Sequence, residues 1–372
     1  MSNFQKRREI IYNWMNNEKI ALIMIEDSEG KRNTDLRWLS GQPGDSLLFL
    51  SAQGKSLLVP WDINLAKIYA DADQVLPYGE FERQPVKALK KALEYFKIIE
   101  NAKIEIPGTT SYPSYVNFTK EIPNYNILCR ENGVAGFIEQ KRAIKDDFEI
   151  KLYRKLSGLT DEIINMVEKG IFSNNLKTEA DVALFIENES RKMGCEGVGF
   201  DIIAAGPARS FGIHAFPSYT GENFGGKGLS ILDFGLKLDG YTSDVTLTFA
   251  KEPLSKPQAE MVSLVKEASQ IAISMAKNGE RTRNISLAVD KFFSNSGKTM
   301  PHALGHGIGL DAHEAPSVRS RIDNEWILEP GMILALEPGL YDPVHGGCRL
   351  ENDVLITEEN YELLTNSRII HL

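Results

Sequence analysis

The chain has 372 residues, 42% hydrophobic and 25% charged, the composition of a water-soluble globular protein long enough for two cores. A formal charge of −9 argues against nucleic acid or an anionic membrane as partner, because both reward a net positive surface. Cys129, Cys195 and Cys348 are odd in number and far apart, which argues against a disulfide framework or a CxxC zinc site and fits reduced thiols in a cytoplasm.

In chain order, MSNFQKRREIIYNWMNNEK carries charge but no apolar core of signal-peptide length, and IALIMI has the length of a buried strand. Two more strands are predicted in SLLFLSAQGKSLLVP, joined by a Gln-Gly turn. An amphipathic helix follows in QPVKALKKALEYFKI, then a strand in NAKIEIPG. This alternation predicts a small α/β domain with a mixed sheet. No histidine precedes His214, so the chemistry is expected downstream. A boundary is expected near GFIEQKRAIKDD, giving domains 1–138 and 142–372.

Beyond it, Leu152, Leu156, Leu159, Ile163 and Met166 recur at steps of three and four, the buried stripe of a long helix. A second helix is predicted between Thr178, as N-cap, and Gly194. Strand-like GFDIIAAG and LDFGLKLDGYTSDVTLTF come next. Helices in PQAEMVSLVKEASQIAISMAKNG and SLAVDKFF then precede strands in MILALEPGLY and CRLENDVLIT. Two helix-helix-hairpin halves imply a structural duplication with a site between them.

Within LDFGLKLDGYTSDVTLTF, Asp239-Gly240 is a two-residue hairpin signal. Pairing Leu238 with Tyr241 and counting outward sets Asp233 opposite Thr246, with Asp244 on the same face two residues away. Asp233 and Asp244 are then diagonal neighbours able to reach one object. Bare, they would repel until one took a proton; a divalent cation removes the conflict.

PHALGHGIGLDAHE supplies His302, His306 and His313, with Gly305, Gly307 and Gly309 letting the backbone beside His306 approach a ligand. Glu337 follows the apolar run of ILALEPGLY, where an unpaired carboxylate costs several kcal/mol to bury, and Glu351 opens the apolar strand of CRLENDVLI beside Arg349. Two aspartates, two glutamates and one histidine on buried-looking strands predict a hard, thiolate-free metal site suited to Mn²⁺, Co²⁺ or Fe²⁺ at least as well as Zn²⁺. Four carboxylates would over-neutralise one ion, so two ions about 3.5–4 Å apart are expected, the arrangement of metal-assisted hydrolysis.

The motifs LDFG…GYTSDVT, GHGIGLDAHE, LEPGLY and RLENDVLIT, in this order, resemble those of the pita-bread metallopeptidases: aminopeptidase P, prolidase and their metal-free relative creatinase. The resemblance implies an α/β (α+β) chain, with a creatinase-like amino-terminal domain and a pita-bread catalytic domain. It implies that Asp233, Asp244, His306, Glu337 and Glu351 hold two divalent ions, Mn²⁺ first, with Asp244 and Glu351 bridging. A metal-bridging hydroxide would be the nucleophile, with Glu337 as its base. His313 would donate to the scissile carbonyl or the tetrahedral intermediate. His302 and His214 match substrate-pocket histidines, His302 being grouped with the catalytic residues. Arg349 matches an arginine that contacts substrate or orients the last ligand.

The family cleaves Xaa-Pro bonds, so the implied partners are proline-containing peptides and a second copy of the chain, as a cytoplasmic homodimer. Trp38 lies where a pocket wall from the amino-terminal domain would be, and fits a core tryptophan equally. Arg319 and Arg321 remain alternatives for clamping a free carboxylate. Leu247 stands in SDVTLT where many relatives carry arginine, a departure that touches substrate contact and leaves the ligands intact. A creatinase-type amidinohydrolase has no reason to keep five metal ligands, a methionine aminopeptidase needs no such amino-terminal domain, and non-catalytic peptide- or protein-binding relatives have typically lost ligands.

Overall fold

The computed structural model describes residues 1–323 and 326–372, which divide into two compact units, Met1–Lys141 and Arg142–Leu372. The first opens with α1 (Asn3–Glu18), whose N-cap Ser2 accepts the Gln5 N–H, and β1 (Ile20–Asp27). There follow α2 (Thr34–Ser40), β2 (Ser46–Ser51), β3 (Lys55–Pro60), α3 (Ile63–Tyr69), β4 (Gln74–Val75), α4 (Pro85–Tyr95), β5 (Lys103–Pro107), α5 (Tyr112–Glu121), β6 (Asn126–Arg130) and α6 (Val134–Ala143). The strands form a six-stranded sheet in the order β4-β3-β2-β1-β5-β6. It is mixed, β1 running antiparallel to β2 and parallel to β5. Gly54 takes the positive φ of the Gln-Gly turn between β2 and β3. Leu22, Phe49, Leu57 and Ile104 on the sheet pack with Ala88, Leu89 and Ala92 of α4. Trp38 is 4% exposed and its carbonyl accepts from Arg7, so within this unit it is a core residue.

The second unit holds α7 (Asp147–Phe172), α8 (Glu179–Lys192), β7 (Gly197–Val198), β8 (Ile203–Ala205), β9 (Gly228–Phe234), β10 (Leu236–Leu238), β11 (Tyr241–Thr242), β12 (Val245–Lys251), α9 (Lys256–Met275) and α10 (Thr282–Asn295). They are followed by β13 (Gly305–Gly307), β14 (Glu314–Val318), β15 (Ile333–Leu336), β16 (Gly339–Asp342), β17 (Gly346–Arg349), β18 (Asn352–Ile356), β19 (Tyr361–Leu363) and β20 (Ile369–His371). Capping boxes at Asp146 and Thr178 start α7 and α8 where the backbone needs acceptors for its free N–H groups. The stripe of α7 is wider than apolar spacing suggests. Leu159 and Met166 are only half-buried, while Thr160 is buried because its hydroxyl meets that of Ser243 at 2.8 Å.

Two sheets face the site, one ordered β20-β12-β9-β8 and the other β14-β13-β15-β18-β19. Each follows its own pair of helices, α7–α8 and α9–α10, the arrangement of a pita-bread fold in duplicated halves. In the second half, Leu334 and Leu336 of β15 and Val354 and Ile356 of β18 join the core cluster of Val265, Ala268, Ile285 and Val289 from α9 and α10. Strand alternation turns Ala335 and Asp353 to the opposite face. An isolated bridge between Thr246 and Glu351 links the two sheets. Among the described residues no helix is long and apolar enough to cross a membrane.

Gly235 stands at the break between β9 and β10, where a Cβ would lie 1.9 Å from the Ser243 carbonyl oxygen. Gly235→Ala should force the hairpin open and lower stability by about 1–3 kcal/mol, as overpacking does. The check is the midpoint of urea unfolding.

Candidate metal centre

Asp239 and Gly240 have φ of 49° and 88°, the double positive φ of the expected tight turn. Leu238 pairs with Tyr241, and the same register carries through to Asp233 opposite Thr246. Both aspartates are buried. The strand is interrupted at Asp244, where the Asp244 N–H donates to the Asp353 carboxylate and the Leu236 N–H to the Ser243 hydroxyl. Interrupting the ladder turns the Asp244 side chain toward the second sheet. There His306 pairs with Ala335, and Ala335 in turn with Asp353, forming one row across β13, β15 and β18.

Ligand atoms of Asp244, His306 and Glu351 lie within 4.8 Å of one another. His306 Nε2 is 3.8 Å from both Asp244 Oδ2 and Glu337 Oε1. Its Nδ1 is 3.1 Å from the Gly307 carbonyl. A carbonyl can only accept, so Nδ1 carries the proton and the Nε2 lone pair faces the carboxylates. Burial, followed by the neighbouring His313, lowers the His306 pKa to about 4, which keeps the ring neutral.

Asp233 is held differently. Arg349 donates from Nη2 to its Oδ2 at 2.5 Å, from Nε to Thr246 at 3.0 Å, and from Nη1 to Tyr341 and the Ile213 carbonyl. Asp233 Oδ1 is buried with no hydrogen-bond partner. The Thr246 hydroxyl in turn donates a hydrogen bond to Glu351 Oε2 at 2.6 Å. Because Tyr341 accepts from Arg349, its O–H is free to donate to His302 Nε2 at 3.0 Å, leaving Nδ1–H to the Ala303 carbonyl at 2.8 Å. His302 is therefore neutral, and burial lowers its pKa to about 4.

The carboxylates conflict with one another. Burial and then the charges of Glu351 and Asp233 push Asp244 well up; burial and then Glu337 and Asp233 do the same to Glu351. Burial raises Glu337 to about 7, although a fifth of its side chain remains open. At an effective dielectric of about 20, like charges about 4 Å apart repel by about 4 kcal/mol, more than the roughly 1 kcal/mol of one hydrogen bond such as that from Thr246. Arg349 is one positive charge among four acids. The orphaned Asp233 oxygen, the aimed His306 lone pair and this surplus of negative charge fit divalent cations.

The remaining expected residues are placed as follows. His313 keeps surface open to solvent, but its ring, 4.2 Å from that of His306, is partly desolvated, which lowers its pKa. His214 is exposed and close enough to influence both His302 and His313. Arg349 is only 1% exposed, and its guanidinium holds Asp233, as expected of an arginine that orients a ligand. Leu247 is buried opposite Leu232, on the face of β12 away from Thr246. Arg321 pairs with Asp323 at the surface, while Arg319 Nε is buried without a partner. Sequence reading missed Thr246, Tyr341 and Asp353. The first was within reach, since it lies two residues from Asp244 and opposite Asp233.

Residues 151–358 match the family model for metallopeptidase family M24. The Xaa-Pro dipeptidase of Pyrococcus furiosus is 32% identical over 312 residues, covering 81% of this chain and 87% of that one. The X-Pro aminopeptidase structure from Thermotoga maritima superposes with a TM-score of 0.85 at 25% identity, over 98% of this chain and 99% of that one. The prolidase structure from Pyrococcus horikoshii gives 0.82 at 25% identity, over 97% and 98%. The chain belongs to metallopeptidase family M24, the pita-bread peptidases, and is a metal-dependent hydrolase.

Ions that bind only the folded protein stabilise it by mass action, by about 2.7 kcal/mol at a hundredfold excess over Kd. Adding Mn²⁺ to chelator-treated protein should raise Tm, and Asp244→Ala should abolish the rise. An unchanged Tm in the unmutated protein would contradict the fit argued above.

Proposed function

We propose that the protein hydrolyses the peptide bond before proline, and that Asp233, Asp244, His306, Glu337 and Glu351 would hold two divalent ions, Mn²⁺ foremost. The observation that carries this reading is the convergence of Asp244, His306 and Glu351 donor atoms within 4.8 Å, with Glu337 against them. The Xaa-Pro dipeptidase and X-Pro aminopeptidase among its relatives support the choice of substrate. When bound, such a pair of ions supplies a water of lowered pKa and polarises a carbonyl oxygen.

The chain's own groups do the rest. Glu337 takes the proton of the attacking water on a carboxylate oxygen, and His302 lies 3.8 Å from its other oxygen. His313, kept neutral by its lowered pKa, donates an N–H to the carbonyl oxygen as negative charge develops there. His214 and His302 border the space for the substrate. An Xaa-Pro bond has no N–H, so the pocket must select the ring and its fixed φ. The first unit is proposed as the creatinase-like amino-terminal domain (residues 1–138), and the protein as a cytoplasmic homodimer, in keeping with its acidic charge and three free cysteines.

Release of alanine from Ala-Pro and Ala-Pro-Ala, with and without Mn²⁺, tests the reading. Metal-dependent cleavage of the tripeptide indicates an aminopeptidase, and of the dipeptide alone a dipeptidase. Cleavage of neither by metal-loaded protein overturns the assignment. His313→Ala should lower kcat by about a hundred- to a thousandfold with both ions retained; a near-normal kcat removes His313 from the mechanism.

A further inference from the structure

The residues just before α7 carry a buried ionic cluster that no step above uses. Arg142 and Lys145 have side chains only 8% and 1% exposed, and both reach the carboxylate of Glu314, itself 6% exposed. Lys145 Nζ donates to Glu314 Oε1 at 2.8 Å, and Arg142 Nη2 to Oε2 at 2.5 Å. The same Arg142 nitrogen meets Asp311 Oδ2 at 2.8 Å. The two cations thus hold both ends of residues 311–314, and His313 lies between those ends. The His313 side chain makes no hydrogen bond among the described residues, so its direction depends on the backbone that carries it and on the His306 ring 4.2 Å away.

Two further features fit the clamp. A Cβ at Gly309 would fall 2.1 Å from Glu314 Oε1, so glycine there leaves the room into which the carboxylate folds. Lys145 is itself anchored by its backbone N–H to the Gly331 carbonyl at 2.9 Å, beside the Ile144–Met332 bridge that adjoins β15 and hence Glu337. A buried ionic cluster is a poor way to add stability, since apolar residues of similar volume often do as well or better. Its advantage is a fixed geometry.

We propose that Arg142 and Lys145 are positioning residues for the hydrolytic reaction, clamping Asp311 and Glu314 so that the His313 imidazole points at the reacting carbonyl. The inference rests on the role given to His313 above. Because Glu314 also pairs with Gly307 beside His306, the metal content of each variant must stay at the parent's level for a loss to be assigned to His313.

The test is a double-mutant cycle on the Mn²⁺-loaded enzyme, with amide hydrogen exchange on the chelated protein as a second readout. Arg142→Lys keeps the charge but loses the guanidinium nitrogen that meets both Asp311 and Glu314; Glu314→Gln keeps the shape and serves if the first variant does not fold. Each should lower kcat by about 10- to 100-fold, as loss of an orienting partner does, with KM and metal content near those of the parent. In a His313→Ala background the same substitution should cost less than about twofold, because coupled residues are non-additive. Exchange should quicken in residues 309–314 and stay unchanged in β9 and β12. Equal losses in both backgrounds, or unchanged exchange in residues 309–314, overturn the inference while leaving the role of His313 standing. A near-normal kcat for His313→Ala alone overturns that role, and this inference with it.

Discussion

Four carboxylates crowd into one partly enclosed space, and the rest of the second unit is arranged around that constraint. Asp233 comes from β9 and Asp244 from the break just ahead of β12, Glu337 from just after β15 and Glu351 from just ahead of β18. Among the described residues a single permanent cation reaches them, Arg349, and it is held by Asp233, Thr246, Tyr341 and the Ile213 carbonyl. One positive charge holds Asp233 in place but cannot neutralise the set. The remaining repulsion, acting on groups deprived of water, is what makes the site receptive to ions of higher charge.

The hydroxyl ladder on β12 shows how the sheet distributes this load. Thr246 accepts from Arg349 and donates to Glu351, while Thr248 takes the Arg349 N–H and donates to the Arg349 carbonyl. Both threonines lie on the face shared with Asp233, and the alternate residues Val245, Leu247 and Phe249 are buried on the other. A period of two therefore separates chemistry from core along a single strand. The arginine that many relatives carry in place of Leu247 would put its charge on the apolar face.

Much of this was legible in the sequence because it is local. Asp239-Gly240 determined the turn, the turn determined the register, and the register alone set Asp233 against Thr246. The Thr178 cap of α8 and the mixed sheet of the first unit are local signals of the same kind. Arg349 illustrates what is not local. It was recognised as a residue of the site, but its burial depends on Tyr341 and on Ile213, which is 136 residues away in the chain. Asp353 and the Arg142–Lys145–Glu314 cluster were missed for a related reason. A lone acid in an apolar strand, or two basic residues ahead of a helix, reads as ordinary surface chemistry until the partner strand is known. The α7 stripe failed on a smaller scale, because a polar Thr160 can be buried where a hydroxyl waits for it.

The proposed donors, one imidazole nitrogen and carboxylate oxygens, contain no thiolate, and this has a bearing on selectivity. For such groups the affinity of first-row divalent ions rises along the series from manganese to copper whatever the protein does. The buried His306 lone pair and the acids around it attract all of these ions and contain no group that rejects the tighter binders. Selection of manganese at such donors would then rest on the geometry of the site and on the free concentrations of the competing ions.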